Sequence, residues 1–352
     1  MKQEPVFMKG NEAIAEAAVR CGCRFFFGYP ITPQNEIPEY MSWRMPEAGG
    51  TFIQAESEVA AINMVYGAAG AGGRVMTSSS SPGISLKQEG ISYIAGADLP
   101  CVVVNMMRAG PGLGGIQPSQ SDYFQATKGG GHGDYHCIVY APSTLQEAVD
   151  LIQLAFDKAD EYRTPVMLLG DGLIGQMMEP VTIPDKTPAP VDKSWAATGW
   201  DHKSRPRAVI NSLSLEPAEL EQWNIRRQEK YRQICDREVK YSTQNAEDCD
   251  ILTVAYGSVA RILRTVVDDD PTGGIGLFCP LTLWPFPEKE LAEAAKGKKA
   301  VVCVEMSAGQ MVEDVRLAVG NAAPVHFYGR MGGMVPTAEE IYAHIQSLRE
   351  GL

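Results

Sequence analysis

The chain has 352 residues, of which 45% are hydrophobic and 21% charged, a balance typical of one large or two medium globular domains. Its formal net charge of −12 argues against nucleic acid or an anionic membrane as a main partner. The amino-terminal stretch lacks an apolar core of signal-peptide length, and no segment approaches a membrane span. The default expectation is a cytoplasmic protein.

The first half of the chain alternates between helix and strand patterns. The segments that predict helices are NEAIAEAAVRCG, SEVAAINMVYGAAGAG, SLKQEGISYIAGADLP and STLQEAVDLIQLAFDKADEYR. Those that predict strands are CRFFFGYP, TFIQAE, RVMTSSSS, CVVVNMMR and TPVMLLGD. Apolar strands that alternate with helices indicate a doubly wound, mainly parallel sheet covered on both faces, so the fold class is α/β. We predict this first domain over residues 1–180.

The alternation stops after residue 180. A series of prolines then marks an extended connector, at Pro180, Pro184, Pro188 and Pro190. The segment EPAELEQWNIRRQEKYRQICDREVK predicts a charged helix within this connector, which we place at residues 181–247. Strand and helix patterns resume from DILTVAYGS onward. They predict a second, smaller, doubly wound α/β domain over residues 248–352.

Four strands of the first domain end in loops rich in reactive groups. These loops are GYPITP, QAESE, TSSSSPG and MMRAGPGLGGIQPSQSD. Parallel strands bring their carboxyl ends to one edge of a sheet, where ligands gather. Taken singly, each loop has a structural interpretation: Glu58 favours a helix macrodipole, Arg108 forms a surface ion pair, and the serine run caps a helix. Their joint arrival at successive strand ends favours a functional site.

Three patterns limit which cofactors the chain can hold by itself. Eight cysteines are scattered without any CxxC pair, so we expect no metal and no iron–sulfur cluster in this chain, and reduced, mostly buried thiols. The glycines of GAAGAGG follow a helix instead of preceding one, which argues against a nicotinamide site. LGDGLIG begins like the magnesium–diphosphate motif of thiamine enzymes, but no asparagine follows between Leu173 and Ile210. We therefore expect Asp171 to be a strand-end turn residue.

Longer motifs resemble one known family. FFFGYPITPQNEI, QAESEVAAINMVYGAAGAGGRVMTSSSSPGISLKQEGISY and NMMRAGPGLGGIQPSQSD are similar to the alpha subunit of the 2-oxoacid:ferredoxin oxidoreductases. AYGSVAR, LTLWPFP, VVCVEMSAGQMVEDVR and YGRMGGMVPTAEEI extend the resemblance through the second half, and the connector matches least. Within the family, the branched-chain type that acts on 3-methyl-2-oxobutanoate is the most similar, and the 2-oxoglutarate type is a near neighbour.

The resemblance implies a fold, a reaction and a set of partners. The fold is an aminopyrimidine-binding domain of the thiamine diphosphate superfamily, followed by a transketolase carboxyl-terminal-like domain. The reaction is oxidative decarboxylation of a 2-oxo acid, in which coenzyme A takes the acyl group and ferredoxin takes the electrons. Thiamine diphosphate is shared with a beta subunit that binds Mg²⁺ and the diphosphate. A gamma subunit and a ferredoxin-like delta subunit complete the complex, with iron–sulfur clusters only in partner subunits.

The resemblance also assigns roles to single residues. Glu58 matches the catalytic carboxylate that bonds N1′ of the aminopyrimidine, so that the 4′ nitrogen can remove the C2 proton; Glu56 is a weaker candidate. Arg108 matches the arginine that binds the substrate carboxylate, and Thr32 matches a substrate-binding threonine whose flanking prolines keep its hydroxyl aimed. The implied cofactor contacts are Tyr29, Pro30, Glu58 and Ser80. Weaker candidates for contact with cofactor or substrate are Pro82, Gly83, Gln117 and Asp122.

The substrate and two other functions stay open at this point. A dicarboxylic substrate such as 2-oxoglutarate needs a second cation near Arg108, for which Lys87, Lys128 and His132 are the candidates. None is clearly paired with Arg108 in the sequence, so an apolar substrate is preferred. The other functions are a subunit of a non-oxidative thiamine-dependent 2-oxo acid decarboxylase and a binding subunit with a dead site. The second domain argues against the former, and the retained Glu58, Thr32 and Arg108 argue against the latter.

Overall fold

The computed structural model describes residues 4–188, 190–200, 202–204 and 206–351. Its strands are β1 (Val6–Lys9), β2 (Phe25–Gly28), β3 (Thr51–Gln54), β4 (Val75–Ser79), β5 (Cys101–Met107), β6 (Ile138–Tyr140), β7 (Pro165–Asp171), β8 (Met178–Val181), β9 (Tyr241–Gln244), β10 (Ile251–Val254), β11 (Ile275–Pro280), β12 (Thr282–Trp284), β13 (Ala300–Glu305) and β14 (Val325–Gly329). Its helices are α1 (Gly10–Arg20), α2 (Glu36–Glu47), α3 (Glu58–Gly70), α4 (Ser81–Gly96), α5 (Tyr123–Thr127), α6 (Leu145–Tyr162), α7 (Gly172–Gln176), α8 (Pro217–Arg237), α9 (Gly257–Asp268), α10 (Glu288–Ala294), α11 (Met311–Val319) and α12 (Ala338–Gly351).

The larger sheet positions the candidate site. Its strand order is β12-β6-β7-β5-β4-β2-β3, and every pair from β6 to β3 is parallel. β5 is buried along its whole length, as its apolar run CVVVNMM predicts for a central parallel strand. Because the strands are parallel, the loops that follow β2, β4, β5 and β7 emerge at the same edge.

The second sheet has the order β14-β13-β10-β11-β9 and is parallel except for β9, which runs antiparallel to β11. β1 and β8 form a separate antiparallel pair that the sequence did not predict. The predicted α/β class with two mainly parallel sheets is confirmed.

Two strands belong to a different sheet from the one that the predicted domain bounds would give them. β12 lies within the range predicted for the second domain, yet it pairs antiparallel with β6 of the first sheet. β9 lies within the predicted connector, yet it forms the edge of the second sheet. The charged helix predicted in the connector is α8, which has 21 residues. The divisions at residues 180 and 247 stay predictions, since the strands themselves link the two halves.

Close packing of α3 on α4 shapes one side of the first domain. A Cβ atom added at Gly90 of α4 would lie 2.5 Å from a side-chain atom of Ile62 in α3. Glycine at this position therefore lets the two helix backbones approach. α1 packs on α2 and α6.

The cysteines have the state that the sequence predicts. All eight are free, and only Cys235 is exposed. Burial raises the pKa of the Cys21 thiol to about 12, so this thiol stays protonated at neutral pH. Within the described ranges, no helix combines the length and the apolar character needed to cross a membrane.

Candidate active site

The candidate site lies between two neighbouring strands whose connections diverge. β2 and β4 pair side by side, but β2 leads to β3 at the sheet edge, whereas β4 leads to β5 on its other side. Such a switch in strand order opens a crevice beyond the carboxyl ends, which is where ligands bind in open α/β sheets. The crevice is bordered by residues 29–34 after β2 and residues 79–81 at the end of β4.

Side chains fix the loop after β2 through its carbonyl groups. The donors and their acceptors are Gln34 to Tyr29 (3.3 Å), Arg108 to Thr32 (3.1 Å), and Asn11 and Gln176 to Pro33 (2.8 and 3.0 Å). The Thr32 hydroxyl accepts a long hydrogen bond of 3.4 Å from Asn35 and donates to no described residue. Its proton is therefore free for a ligand. Tyr29 and Pro30 are exposed on the rim.

Glu58 is the first residue of α3 and is only 7% exposed. The Ser57 hydroxyl caps the helix by accepting from the Ala60 amide at 3.1 Å, so the Glu58 side chain is not needed as the cap. No hydrogen bond joins the carboxylate to any described residue. Glu56, the weaker candidate, is exposed. The structure therefore favours Glu58 as the buried carboxylate of the site.

The first turn of α4 packs tightly against Ser79 and Glu58. A Cβ atom added at Gly83 would lie 2.1 Å from Ser79 Oγ and 2.7 Å from Glu58 Oε1, so only glycine fits there without a shift. Ser79 Oγ and Ser80 Oγ are buried and have no hydrogen-bond partner among the described residues. An unpaired buried hydroxyl costs about 1–3 kcal/mol. The two hydroxyls are therefore available to hydrogen-bond a polar ligand.

Arg108 joins the loop after β2 to the glycine-rich loop after β5. It is 8% exposed and donates from Nη1 to the Thr32 carbonyl and from Nη2 to the Leu113 carbonyl, both at 3.1 Å. Its Nε is buried without a partner in the described structure. The resemblance implies that this arginine binds the substrate carboxylate. In the structure it holds both loops, and its remaining N–H groups are left for a ligand.

The weaker candidate residues mostly make structural contacts around the site. The Asp122 carboxylate accepts from the Ser81 hydroxyl at 2.6 Å and from the Asn105 amide at 2.9 Å. Burial raises the pKa of Asp122, whereas these two hydrogen bonds act in the opposite direction. Pro82 lies in the first turn of α4, where its missing N–H is not needed. The Gln117 carbonyl accepts from the Ala109 amide at 2.9 Å and so closes the glycine-rich loop.

The three cations proposed as partners of Arg108 all have other contacts. Lys87 is fully buried and donates to Thr77 Oγ1 at 2.6 Å. Lys128 forms an ion pair with Asp314. His132 stacks edge-on with Tyr93 at 6.4 Å, near the carboxyl end of α4, whereas the site lies at the amino end of that helix. The structure thus brings none of them to Arg108.

Residues of the second half of the chain hydrogen-bond the loop that follows β5. The Gln120 side chain accepts from the Met306 amide at 2.9 Å and donates to the Tyr256 carbonyl at 2.8 Å. Asp171 caps α7 through the Leu173 amide and accepts from the Ser258 hydroxyl at 2.7 Å. It is therefore the strand-end residue that the sequence predicted. No group of three or more His, Cys, Asp or Glu side chains in the described residues is arranged to hold a metal ion.

Comparison with known proteins identifies the family. Residues 16–248 match the family described as pyruvate flavodoxin/ferredoxin oxidoreductase, thiamine diP-bdg, and residues 249–341 match pyruvate:ferredoxin oxidoreductase core domain II. The chain belongs to this family. The predicted family is thereby confirmed, and with it the oxidoreductase class and the thiamine diphosphate-binding fold.

Individual relatives of this ferredoxin oxidoreductase chain cover nearly all of it. The ketoisovalerate oxidoreductase subunit VorB of Methanothermobacter marburgensis is 48% identical over 97% of both chains. The 2-oxoglutarate synthase subunit KorA of the same organism is 36% identical over 98% of this chain and 100% of the relative. A solved structure of 2-oxoglutarate:ferredoxin oxidoreductase from Magnetococcus marinus, with 2-oxoglutarate, coenzyme A and succinyl-CoA bound, has a TM-score of 0.88 and 25% identity. This chain, covered over 98% of its length, spans 65% of that one.

Several residues of the oxidoreductase site were missed by sequence reasoning. Gln34, Asn11 and Gln176 fix the loop after β2, but a single polar residue in a helix or loop carries no signal of a distant carbonyl partner. Ser79 belongs to a serine run whose members look alike in the sequence. Lys87 was considered only as a cation near Arg108, although its position four residues after Gly83 places both on one helix face.

Proposed function

We propose that the chain is the alpha-type subunit of a 2-oxoacid:ferredoxin oxidoreductase that oxidises 3-methyl-2-oxobutanoate to carbon dioxide and the corresponding acyl-CoA, with ferredoxin as electron acceptor. The observation that carries the proposal is the convergence of Glu58, the two unpaired serine hydroxyls, Thr32 and Arg108 at one switch point. The relative at 48% identity is named for ketoisovalerate, which is the same compound.

The residues around Gly83 fit the aminopyrimidine ring of thiamine diphosphate. Glu58 would hold or release a proton at N1′ of the ring, because its carboxylate is buried and bonded to no described residue. The Ser79 and Ser80 hydroxyls would satisfy polar atoms of the same ring, and Tyr29 and Pro30 would border it from the rim. When bound, the cofactor supplies a nucleophilic carbon and an electron sink.

Thr32 and Arg108 would orient the substrate. Arg108 holds the Thr32 carbonyl, and this contact fixes the backbone that presents the Thr32 hydroxyl. The free N–H groups of Arg108 would then bind the substrate carboxylate through charge-assisted hydrogen bonds. One arginine would thus position both the substrate and the hydroxyl that faces it.

The diphosphate and Mg²⁺ would be held by a beta-type subunit. Asp171 stands where thiamine enzymes begin their metal motif, but its carboxylate is fully buried and already binds α7 and Ser258. We further propose that a gamma subunit and a ferredoxin-like delta subunit complete the assembly, with the iron–sulfur clusters in the partner chains. Coenzyme A would accept the acyl group in the assembled complex.

The preference for an aliphatic substrate rests on the three candidate cations. A second carboxylate on the substrate would need a basic partner, and Lys87, Lys128 and His132 are all placed elsewhere. Burying an unpaired carboxylate is strongly unfavourable. The positions of these three cations therefore favour 3-methyl-2-oxobutanoate over 2-oxoglutarate.

A substrate panel on the assembled complex tests the proposal. The chain is combined with its beta-type partner, thiamine diphosphate, Mg²⁺ and coenzyme A, and reduction of a viologen dye is followed. We expect kcat/KM for 3-methyl-2-oxobutanoate to exceed that for 2-oxoglutarate at least about tenfold, which corresponds to about 1.4 kcal/mol. A reversed ratio would contradict the proposed substrate, and no dye reduction with any 2-oxo acid would contradict the proposed reaction.

A further inference from the structure

A fully buried lysine lies in the middle of α4. Lys87 has no exposed surface, although lysine is almost never fully buried unless it is paired. Its Nζ donates to Thr77 Oγ1 at 2.6 Å, and no carboxylate of the described residues forms an ion pair with it. A burial of this kind is costly, so the position calls for a role beyond packing.

The packing of α4 on β4 places Lys87 one helical turn after Gly83, against Thr77 of β4. Gly83 and Lys87 are four residues apart on one helix face, and Ser79 and Thr77 are two residues apart on one strand face. Gly83 contacts Ser79, and Lys87 contacts Thr77, so the two pairs lie side by side. The Thr77 hydroxyl donates at 2.6 Å to the carbonyl of Phe27, the penultimate residue of β2.

Lys87 and Glu58 lie in the same buried region. A Cβ atom at Gly83 would lie 2.7 Å from Glu58 Oε1, and Lys87 follows Gly83 by one helical turn on the same face. Burial lowers the pKa of Lys87 to about 7, and the negative charge of Glu58 acts in the opposite direction. Thr77, which Lys87 contacts on β4, and Phe27, which Thr77 contacts on β2, are neutral. Charges interact strongly across a dry interior even without direct contact. Lys87 is thus placed to change its charge near neutral pH beside the proposed catalytic carboxylate.

We propose that Lys87 is a positioning residue that controls how Glu58 shares a proton with the aminopyrimidine ring. This inference rests on the proposed function, since it needs the ring beside Glu58. The positive charge of the Lys87 ammonium repels the shared proton and so displaces it toward N1′. This displacement is lost when Lys87 is neutral. A lysine that merely tied α4 to β4 would need no such coupling.

A titration of the full-length chain without cofactor tests the coupling directly. Lysine side chains labelled with ¹³C at Cε are followed by NMR as the pH is varied, and K87M identifies the Lys87 signal. We expect a midpoint near 7 in the wild-type chain. In E58Q the midpoint should fall by about half a pH unit or more, because the charge that favours the ammonium form is removed. A midpoint at the ordinary lysine value of about 10.4, or one that E58Q leaves unchanged, would overturn the inference.

The pH dependence of the assembled complex supplies the second readout. In wild type, kcat should fall as Lys87 loses its proton near neutral pH. K87M keeps the volume of the side chain without the charge, so it should lose this alkaline limb and turn over about tenfold more slowly at pH 6.5, a change of about 1.4 kcal/mol. K87R keeps a permanent charge and should recover turnover without the limb. A K87M profile parallel to the wild type would overturn the inference.

A matched control is available at the next position of α4. Gln88 is equally buried at 6% exposure but neutral, so Q88M disturbs the same helix without changing the charge near Glu58. Its pH profile should follow the wild type. Failure of the wild-type complex to oxidise any 2-oxo acid would contradict the proposed function, whereas an uncoupled Lys87 titration in the chain alone would contradict this inference.

Discussion

The two loops that Arg108 joins, one after β2 and one after β5, are held in opposite ways. The loop of residues 29–34 is fixed at its carbonyl groups by side chains from α1, α7 and the end of β5. The glycine-rich loop of residues 110–117 exposes Leu113 by 84% and Ile116 by 58%. Gly112 and Gly114 of this loop have φ values of +70° and +59°, which favour glycine.

This difference separates two tasks within one site. A cofactor ring must be held in one orientation through many turnovers, and the loop of residues 29–34, fixed at three of its carbonyl groups, would supply that. A substrate must enter and leave, and the open side offers an exposed loop for that purpose. Arg108 donates one hydrogen bond to each loop, so it couples the position of one loop to the position of the other.

The largest expected effect comes from Glu58, the first residue of α3. Replacing Glu58 with glutamine keeps the shape of the side chain but removes its ability to exchange a proton, which should lower kcat of the assembled complex by about 10²–10⁴-fold. Glu56 lies in the same turn but is exposed, so Glu56→Gln should stay close to wild type. Equal turnover in the two variants would show that Glu58 has no part in the chemistry.

A smaller effect should separate two glycines, Gly83 in the first turn of α4 and Gly115 in the glycine-rich loop. A methyl group at Gly83 would overlap Ser79 Oγ and Glu58 Oε1, so Gly83→Ala should weaken thiamine diphosphate binding by about tenfold or more and destabilise the chain by about 1–3 kcal/mol. At Gly115 of the open loop, the nearest atom to an added Cβ lies at 4.0 Å.

Gly115→Ala should therefore change the free energy of unfolding by no more than about 0.5 kcal/mol. Titration calorimetry of the assembled complex and denaturant unfolding of the chain measure both quantities. If the two alanine variants behaved alike, the contrast between a fixed and an open side would be wrong.

The smallest predicted effect concerns the residue that joins the two sides. Lysine has one nitrogen and cannot reach both the Thr32 and the Leu113 carbonyl, so Arg108→Lys should release one loop and lower kcat/KM by about 10-fold, mainly through KM. Limited proteolysis should cut the 110–117 loop faster in this variant. Unchanged KM together with unchanged cleavage would remove Arg108 from both roles.

The sequence predicted the parts of the fold that depend on local pattern. β4 and β5 are apolar runs in buried parallel strands, and both were predicted at nearly their observed positions. β9 and β12 were missed because their pairing is set by distant strands. α2 was missed because Pro38 and Pro46 lie within it, where its first and last turns tolerate them.

The sequence predicted where the candidate site residues lie but not how they are bonded or buried. Glu58, Thr32 and Arg108 stand at successive strand ends, and the sequence shows that directly. The sequence does not show that Arg108 is already bonded to two carbonyl groups, or that Lys87 is fully buried. Both are tertiary facts, because a charged residue is expected at the surface until the packing around it is known.

The most direct test of the account is a structure of the assembled complex with thiamine diphosphate bound. The account predicts the Glu58 carboxylate within hydrogen-bonding distance of N1′, about 2.6–3.2 Å, while the diphosphate and its Mg²⁺ contact the beta-type subunit. A ring bound away from Glu58, or a diphosphate anchored by residues of this chain, would contradict it.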